Sequence, residues 1–301
     1  MERELKKITK DLGQSTTTTY TNSYKKLRTI LELKDRRKPV SKIPVKDVVD
    51  AINKVTNPSS RHSVFVIATK LFNYDKNKEL FDGVKNQINK EKRDVQVDKN
   101  KTLNESLPSY KDINDAIKKE ENPKKYITSF IMFRINTRNA DIAYIDLHSK
   151  KKDSYDDKRN HLIIDGKKAI YIRNIYKTSK RYGQKINEIK VPKFIEKVKE
   201  ILGDAETKPL FIRKNGEHIT PGSIASYLKK HIVLGLNEGQ IIKIVLKHAD
   251  DVGNYNLLRK ISANRGTTVQ VLLNEYDISN IQNPTTEIIR QDQDVVQTVD
   301  V

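Results

Sequence analysis

Tyr276 ends the last helical stretch of the chain, Ile261 to Tyr276, and a phenol held there among basic residues has the chemistry of a nucleophile. One helix pattern stops before Arg265-Gly266, and a second starts after it with Thr267 or Thr268 as N-cap. Val269, Leu272 and Leu273 form the apolar stripe of that second helix, and Tyr276 follows the stripe at helical spacing. The same placement also suits an amphipathic ring that closes the core. Metal chemistry has no support here. The six histidines, His62, His148, His161, His218, His231 and His248, are scattered without ligand spacing. There is no glycine-rich phosphate loop and no cysteine, so thiolate sites, disulfides and a Cys nucleophile are excluded. No cofactor is expected.

The 301 residues suggest about two domains. Lys and Arg number 58 against 39 Asp and Glu, a formal net charge of +19. Such an excess implies an anionic partner, and a nucleic acid is the usual one. A codon bias toward AT would raise Asn as readily as Lys and leaves the surplus over acids unexplained. No apolar run approaches 18 residues, and the opening Met1-Glu2-Arg3-Glu4 has no signal-peptide core. The chain is expected to be intracellular and to have no membrane partner.

Residues 1–92 read as a small helical bundle. Ser15 to Thr19 is a cap-rich run, followed by Tyr20, Tyr24, Leu27, Ile30 and Leu31 at helical spacing. Asp35-Arg36-Arg37-Lys38-Pro39 is a basic turn, and shorter helices follow through Ile52, Leu71 and Ile88. Residues 93–108 are polar, lack a sustained period and read as a linker. Residues 109–280 form the second domain. Helices are expected around Ile113, around Phe130 and from Thr137 to Ile145. Three β-rich runs follow, His161 to Ile164, Ala169 to Tyr176 and Lys185 to Val191. Asp165-Gly166 and Tyr182-Gly183 split them, which predicts a three-stranded antiparallel sheet. Leu210-Phe211-Ile212 is a short extended piece. More helices start at Pro192 and after Thr220-Pro221, and span 239–249 and 253–264. Residues 281–301 read as a flexible tail. The fold class is mainly α with a small antiparallel sheet.

A basic helical domain, a polar linker, helices, a small sheet, more helices and a terminal tyrosine is an unusual order. It resembles the tyrosine recombinase (phage-type integrase) superfamily, whose catalytic fold is shared with type IB DNA topoisomerases. The likeness runs over roughly residues 15–280 and is nearest to divergent members from large DNA viruses and mobile elements. In that family an arginine opens a helix with an acid three residues on and an apolar residue at plus seven; Arg138, Asp141 and Ile145 stand there. The family's hairpin lysine corresponds to Lys177, with Lys180 and Arg181 as alternatives. The family's Gly-His pair ends nine residues before the nucleophile, where this chain has Gly266-Thr267. In its His-x-x-Arg box this chain has Ile244 and Lys247, and Arg259 is a rival for the arginine. His248 and Thr267 remain possible accessory residues.

The resemblance implies an α+β DNA breaking-rejoining domain behind one that binds double-stranded DNA. Tyr276 would attack phosphorus and form a 3′-phosphotyrosyl link, with Arg138 and Lys247 gripping the phosphate oxygens. Lys177 would protonate the leaving 5′-oxygen. A homo-oligomer, a synaptic tetramer on DNA, is implied as well. Lys at 247 lacks the bidentate fork of Arg. A DNA-binding protein of the same fold without cleavage, serving packaging, transcription or architecture, is therefore the alternative. A monomeric topoisomerase is a third reading.

Overall fold

A computed structural model describes residues 2–33, 35, 38–213 and 216–276. The chain divides into two compact units, Met1–Thr102 and Leu103–Val301. It is mainly α-helical, with one small sheet in the second unit. Among the described residues no helix is long and apolar enough to cross a membrane. The tail 281–301 and the central arginines of the basic turn, Arg36 and Arg37, lie outside the described residues.

The first unit contains α1 (Glu2–Thr9), α2 (Gln14–Ile30), α3 (Val45–Asn53), α4 (Pro58–Leu71) and all but the last turn of α5 (Lys78–Ser106). Tyr24, Leu27, Val48, Ile52, Val64, Ile67, Phe81 and Ile88 meet in its core. The threonine run is helical rather than a cap. Thr18 and Thr21 hydroxyls donate to the carbonyls of Gln14 and Thr17, four residues back, which relieves their usual competition with the helix. α4 starts where Asn57 accepts from the Ser60 amide and Pro58 supplies the fixed φ of a first turn. The polar stretch 93–106 is not an irregular linker, because it continues α5. Its Lys, Glu, Gln and Arg are good helix formers, and extending an existing helix avoids the cost of nucleation.

The second unit opens with α6 (Tyr110–Lys119), fixed by a capping box between Ser109 and Asp112. α7 (Pro123–Phe130) runs into a π-helical turn, Ile131–Ile135, and Asn136 then takes the left-handed conformation at φ 60°. The helix expected from Thr137 to Ile145 is cut to α8 (Asn139–Ile142), and Ile145 already starts a strand.

The sheet has five strands: β1 (Ile145–His148), β2 (Asn160–Asp165), β3 (Lys168–Arg173), β4 (Lys185–Ile189) and β5 (Thr207–Pro209). Their order is β4-β3-β2-β1-β5. The β2-β3-β4 meander is antiparallel, as expected. The sheet as a whole is mixed, because β1 pairs with β2 in parallel and β5 closes the far edge antiparallel to β1. That parallel pairing joins segments across the crossover 149–159, and no local pattern announces it.

α10 (Pro192–Leu202) packs Phe194, Val198 and Ile201 into the same core as Leu147, Leu162 and Tyr171. α9 (Ser179–Tyr182) is a single turn at the β3-β4 crossing. The rest is α11 (Pro221–Leu228), α12 (Glu238–Asp251), α13 (Tyr255–Arg265) and α14 (Val269–Tyr276).

Candidate active site

The β3-β4 ladder sets the first two side chains. β3 alternates buried and half-buried positions, and Arg173 falls on the buried phase after Ala169 and Tyr171. Arg173 pairs with Lys185 across the ladder, so both point to the same face. Arg138 reaches this place from the opposite side. The π-turn and the left-handed Asn136 swing the chain so that Arg138 caps α8. A left-handed asparagine is tolerated, but such backbone gathers at functional sites. Asp141 Oδ2 accepts from the Arg138 amide at 3.2 Å and from Arg173 Nη1 at 3.5 Å.

These groups converge on the end of α13. Lys185 Nζ donates to the Ala263 carbonyl, Arg173 Nη1 to Asn264 O at 2.7 Å, Arg138 Nη1 to Arg265 O, and Thr178 Oγ1 to Gly266 O at 2.8 Å. Arg265 turns its own guanidinium inward to Glu238 Oε1 at 2.6 Å, and Glu238 Oε2 accepts from the Asn139 amide at 2.8 Å. Glu238 lies in the first turn of α12, where a carboxylate suits the helix dipole. Asn264 and Asn187 complete the floor through Arg173 Nη2.

Four cations thus share the cluster with two carboxylates, leaving positive charge in excess. Arg173, Arg265 and Asp141 are buried, while Arg138 and Lys185 are half-buried and are the accessible cations. Burial pushes the Asp141 carboxyl up, against the pull of Arg173 and the Arg138 amide. Burial, followed by the repulsion of Arg173, brings the Lys185 ammonium down to about 8. Lys185 also lies over the rings of Tyr176 and Tyr182, at 5.2 and 5.6 Å. Polar atoms without a hydrogen-bond partner concentrate around the cluster: Asn136 Oδ1, Thr137 Oγ1, Asn139 Oδ1, Asp141 Oδ1 and Arg173 Nε.

Gly266 is required twice. Its φ is +59°, and a Schellman pair, Thr267 N–H to Ser262 O and Gly266 N–H to Ala263 O, closes α13 around it. An added Cβ would run into Thr178 Oγ1 and stand 2.9 Å from Tyr176 Cε2. Thr268, rather than Thr267, caps α14, accepting from the Val271 amide at 3.2 Å.

The residues expected from the sequence are only partly assembled. Arg138 is in the cluster, and Thr267 follows the Gly266 that contacts it. Lys177 is exposed on the hairpin excursion, and Lys185 at the base of β4 is the lysine that faces the arginines. Lys247 lies nine residues along α12 from Glu238, about 13 Å at helical rise. There it lines a cavity with Leu107, Tyr110, Ile244 and His248, whose ring stacks on Tyr110 at 3.8 Å. Ile244, at the family's histidine position, is buried in the core. Arg259 is half-buried on α13, and its carbonyl accepts from the Ser262 hydroxyl. Tyr276 ends α14, with its side chain outside the described residues.

The sequence reading missed Arg173, Lys185, Arg265 and Glu238. A charge on the buried phase of an alternating strand was the available signal for Arg173. Lys185 had none that set it apart from neighbouring lysines. Among the described residues no group of acids and histidines has the geometry of a metal site.

No family model matches the sequence, and no curated protein matches it. Among solved structures, the crystal structure of XerA recombinase is similar over 96% of this chain and 96% of that one. The identity is 11% and the TM-score 0.34. A likeness at that level bears no weight for function.

Proposed function

We propose that the chain is a DNA-binding protein of tyrosine-recombinase type that acts on a phosphodiester through the Arg138 cluster. The observation that carries this reading is the convergence of Arg138, Arg173, Lys185 and Arg265 on the α13–α14 turn, just ahead of Tyr276. Preorganised cations of this kind stabilise the charge that builds on a phosphorane. Lys185, with its ammonium brought down to about 8, is suited to give up a proton near neutral pH, so it takes the general-acid role in preference to Lys177. Arg138 grips the non-bridging oxygens with a fork. The buried Arg173 and Arg265 hold the field and the backbone in place. Tyr276 is the nucleophile in this reading, and the net charge of +19 supplies the phosphate contacts that bind the duplex.

The test is covalent trapping on a nicked duplex, whose short cleaved strand diffuses away. An adduct on the parent chain that maps to Tyr276 and is lost in Tyr276→Phe supports the enzyme. The second reading is a DNA-binding protein without cleavage. It is favoured by the buried Ile244 and by the distance of Lys247 from Glu238 along α12. DNA binding without any adduct selects it.

A further inference from the structure

We propose that the C-terminal end of α13 is a resident stand-in for the phosphodiester, and that a bound DNA phosphate displaces it from Arg138 and Lys185. The proposal rests on the functional reading above and adds an autoinhibitory step to it.

A helix leaves its last four carbonyls without intrahelical partners, and a glycine-based cap normally answers part of that need. α13 already has such a cap, since the Thr267 and Gly266 amides bond to Ser262 O and Ala263 O. Four consecutive carbonyls, Ala263 to Gly266, nevertheless each accept a side-chain donor from another part of the unit, and three of the donors are cations. A helix C-terminus carries about half a negative charge, so it offers these cations a weaker version of what a phosphodiester offers. The donors fall into two classes. Arg173 is fully buried and bonded to Asp141, Asn187 and Asn264, and so stays in place. Arg138 and Lys185 are half-buried and can exchange a carbonyl for a phosphate oxygen.

Thr178 is the latch. It is neutral, it donates to Gly266 O, and its hydroxyl packs against the glycine where a Cβ would stand. The groups around Lys185 agree with a carbonyl in place of an anion. Arg173 and Arg138 repel its charge, Asp141 is the carboxylate that favours it, and Tyr176 and Tyr182 supply only ring faces. α14 follows the latch after two residues, so releasing Gly266 frees the segment that ends in Tyr276. The free protein is thereby kept from presenting both nucleophile and cations before a phosphate is bound.

Amide hydrogen exchange on the full chain, read in peptides covering 263–273, tests this. Thr178→Val keeps the side-chain shape and removes the donor. In the free protein it should speed exchange there by about fivefold, the factor that goes with one ordinary hydrogen bond. Saturating duplex DNA should speed exchange of the same segment in the parent, while β3 and β4 are unchanged or slowed. DNA binding is measured in the same samples by anisotropy. Bound DNA with exchange at 263–273 unchanged or slowed overturns the proposal and leaves the functional reading standing. Unchanged exchange in Thr178→Val overturns the latch whether or not DNA binds. If duplex DNA does not bind, the functional reading fails instead. Inorganic phosphate at fixed ionic strength then decides whether an anion releases the segment, and no acceleration overturns the proposal.

Discussion

Replacing Gly266 by alanine separates the two reasons for a glycine at the α13–α14 turn. A left-handed φ of +59° costs an L-residue about 1–2 kcal/mol. The new methyl also meets Thr178 Oγ1 and Tyr176 Cε2 in a packed surrounding, and overpacking of that kind adds about 1–3 kcal/mol. Gly166, in the β2-β3 turn of the same unit, is the reference. Its φ is also +59°, and an added Cβ there meets nothing within 4 Å. The unfolded-state gain of alanine over glycine is common to both variants and cancels. Gly266→Ala should therefore be less stable than Gly166→Ala by about 1–3 kcal/mol. The measurement is urea unfolding of the full chain, followed by circular dichroism and tyrosine fluorescence. Thr178→Ala in the Gly266→Ala background should recover part of the difference, because it removes the atom the methyl strikes. Equal losses for the two glycine variants, or no recovery in the double variant, would refute the close approach.

Three further outcomes are expected. His148 is buried between His161 and Thr207, and burial, aided by His161 and Lys152, brings its pKa down to about 4. Its folded pKa lies below the unfolded value, so its contribution is fully present above about pH 6.5. It is lost as pH falls toward 4, on the order of 3 kcal/mol in all. Urea midpoints between pH 7 and 4.5 should fall more steeply for the parent than for His148→Gln; parallel slopes would remove His148 from the argument. Lys185→Met should cut adduct formation by about 10²-fold or more, the usual scale of a general acid, while Lys177→Met keeps it; the reverse pattern restores Lys177. Duplex affinity should drop by about 10³ between 50 and 200 mM salt if six or more phosphates are neutralised, and a flat salt profile in a fluorescence titration would contradict that.

Short-range features were legible in the sequence. The β2-β3-β4 meander follows from alternating apolar residues split at Asp165-Gly166 and Tyr182-Gly183. A helix running to Leu71 was legible from its apolar spacing with Ser59-Ser60 as the expected cap, but its start is set by Asn57-Pro58, as Asn122-Pro123 sets that of α7; the asparagine accepts from an amide and proline fits the first turn. The end of α13 at Gly266 was legible, since few residues other than glycine adopt its φ without cost. The tertiary structure decided everything that depends on distant neighbours. The parallel β1-β2 pair joins segments across a crossover, and the early strand at Ile145 cuts α8 to one turn. α5 continues through a stretch whose polarity resembles a linker, because a helix already nucleated by packing propagates at little cost. Which lysine of the hairpin faces the arginines was beyond a sequence reading, since lysines of one hairpin carry the same charge and reach. Only the register that sets Lys185 opposite Arg173 turns one of them toward Arg138 and the end of α13.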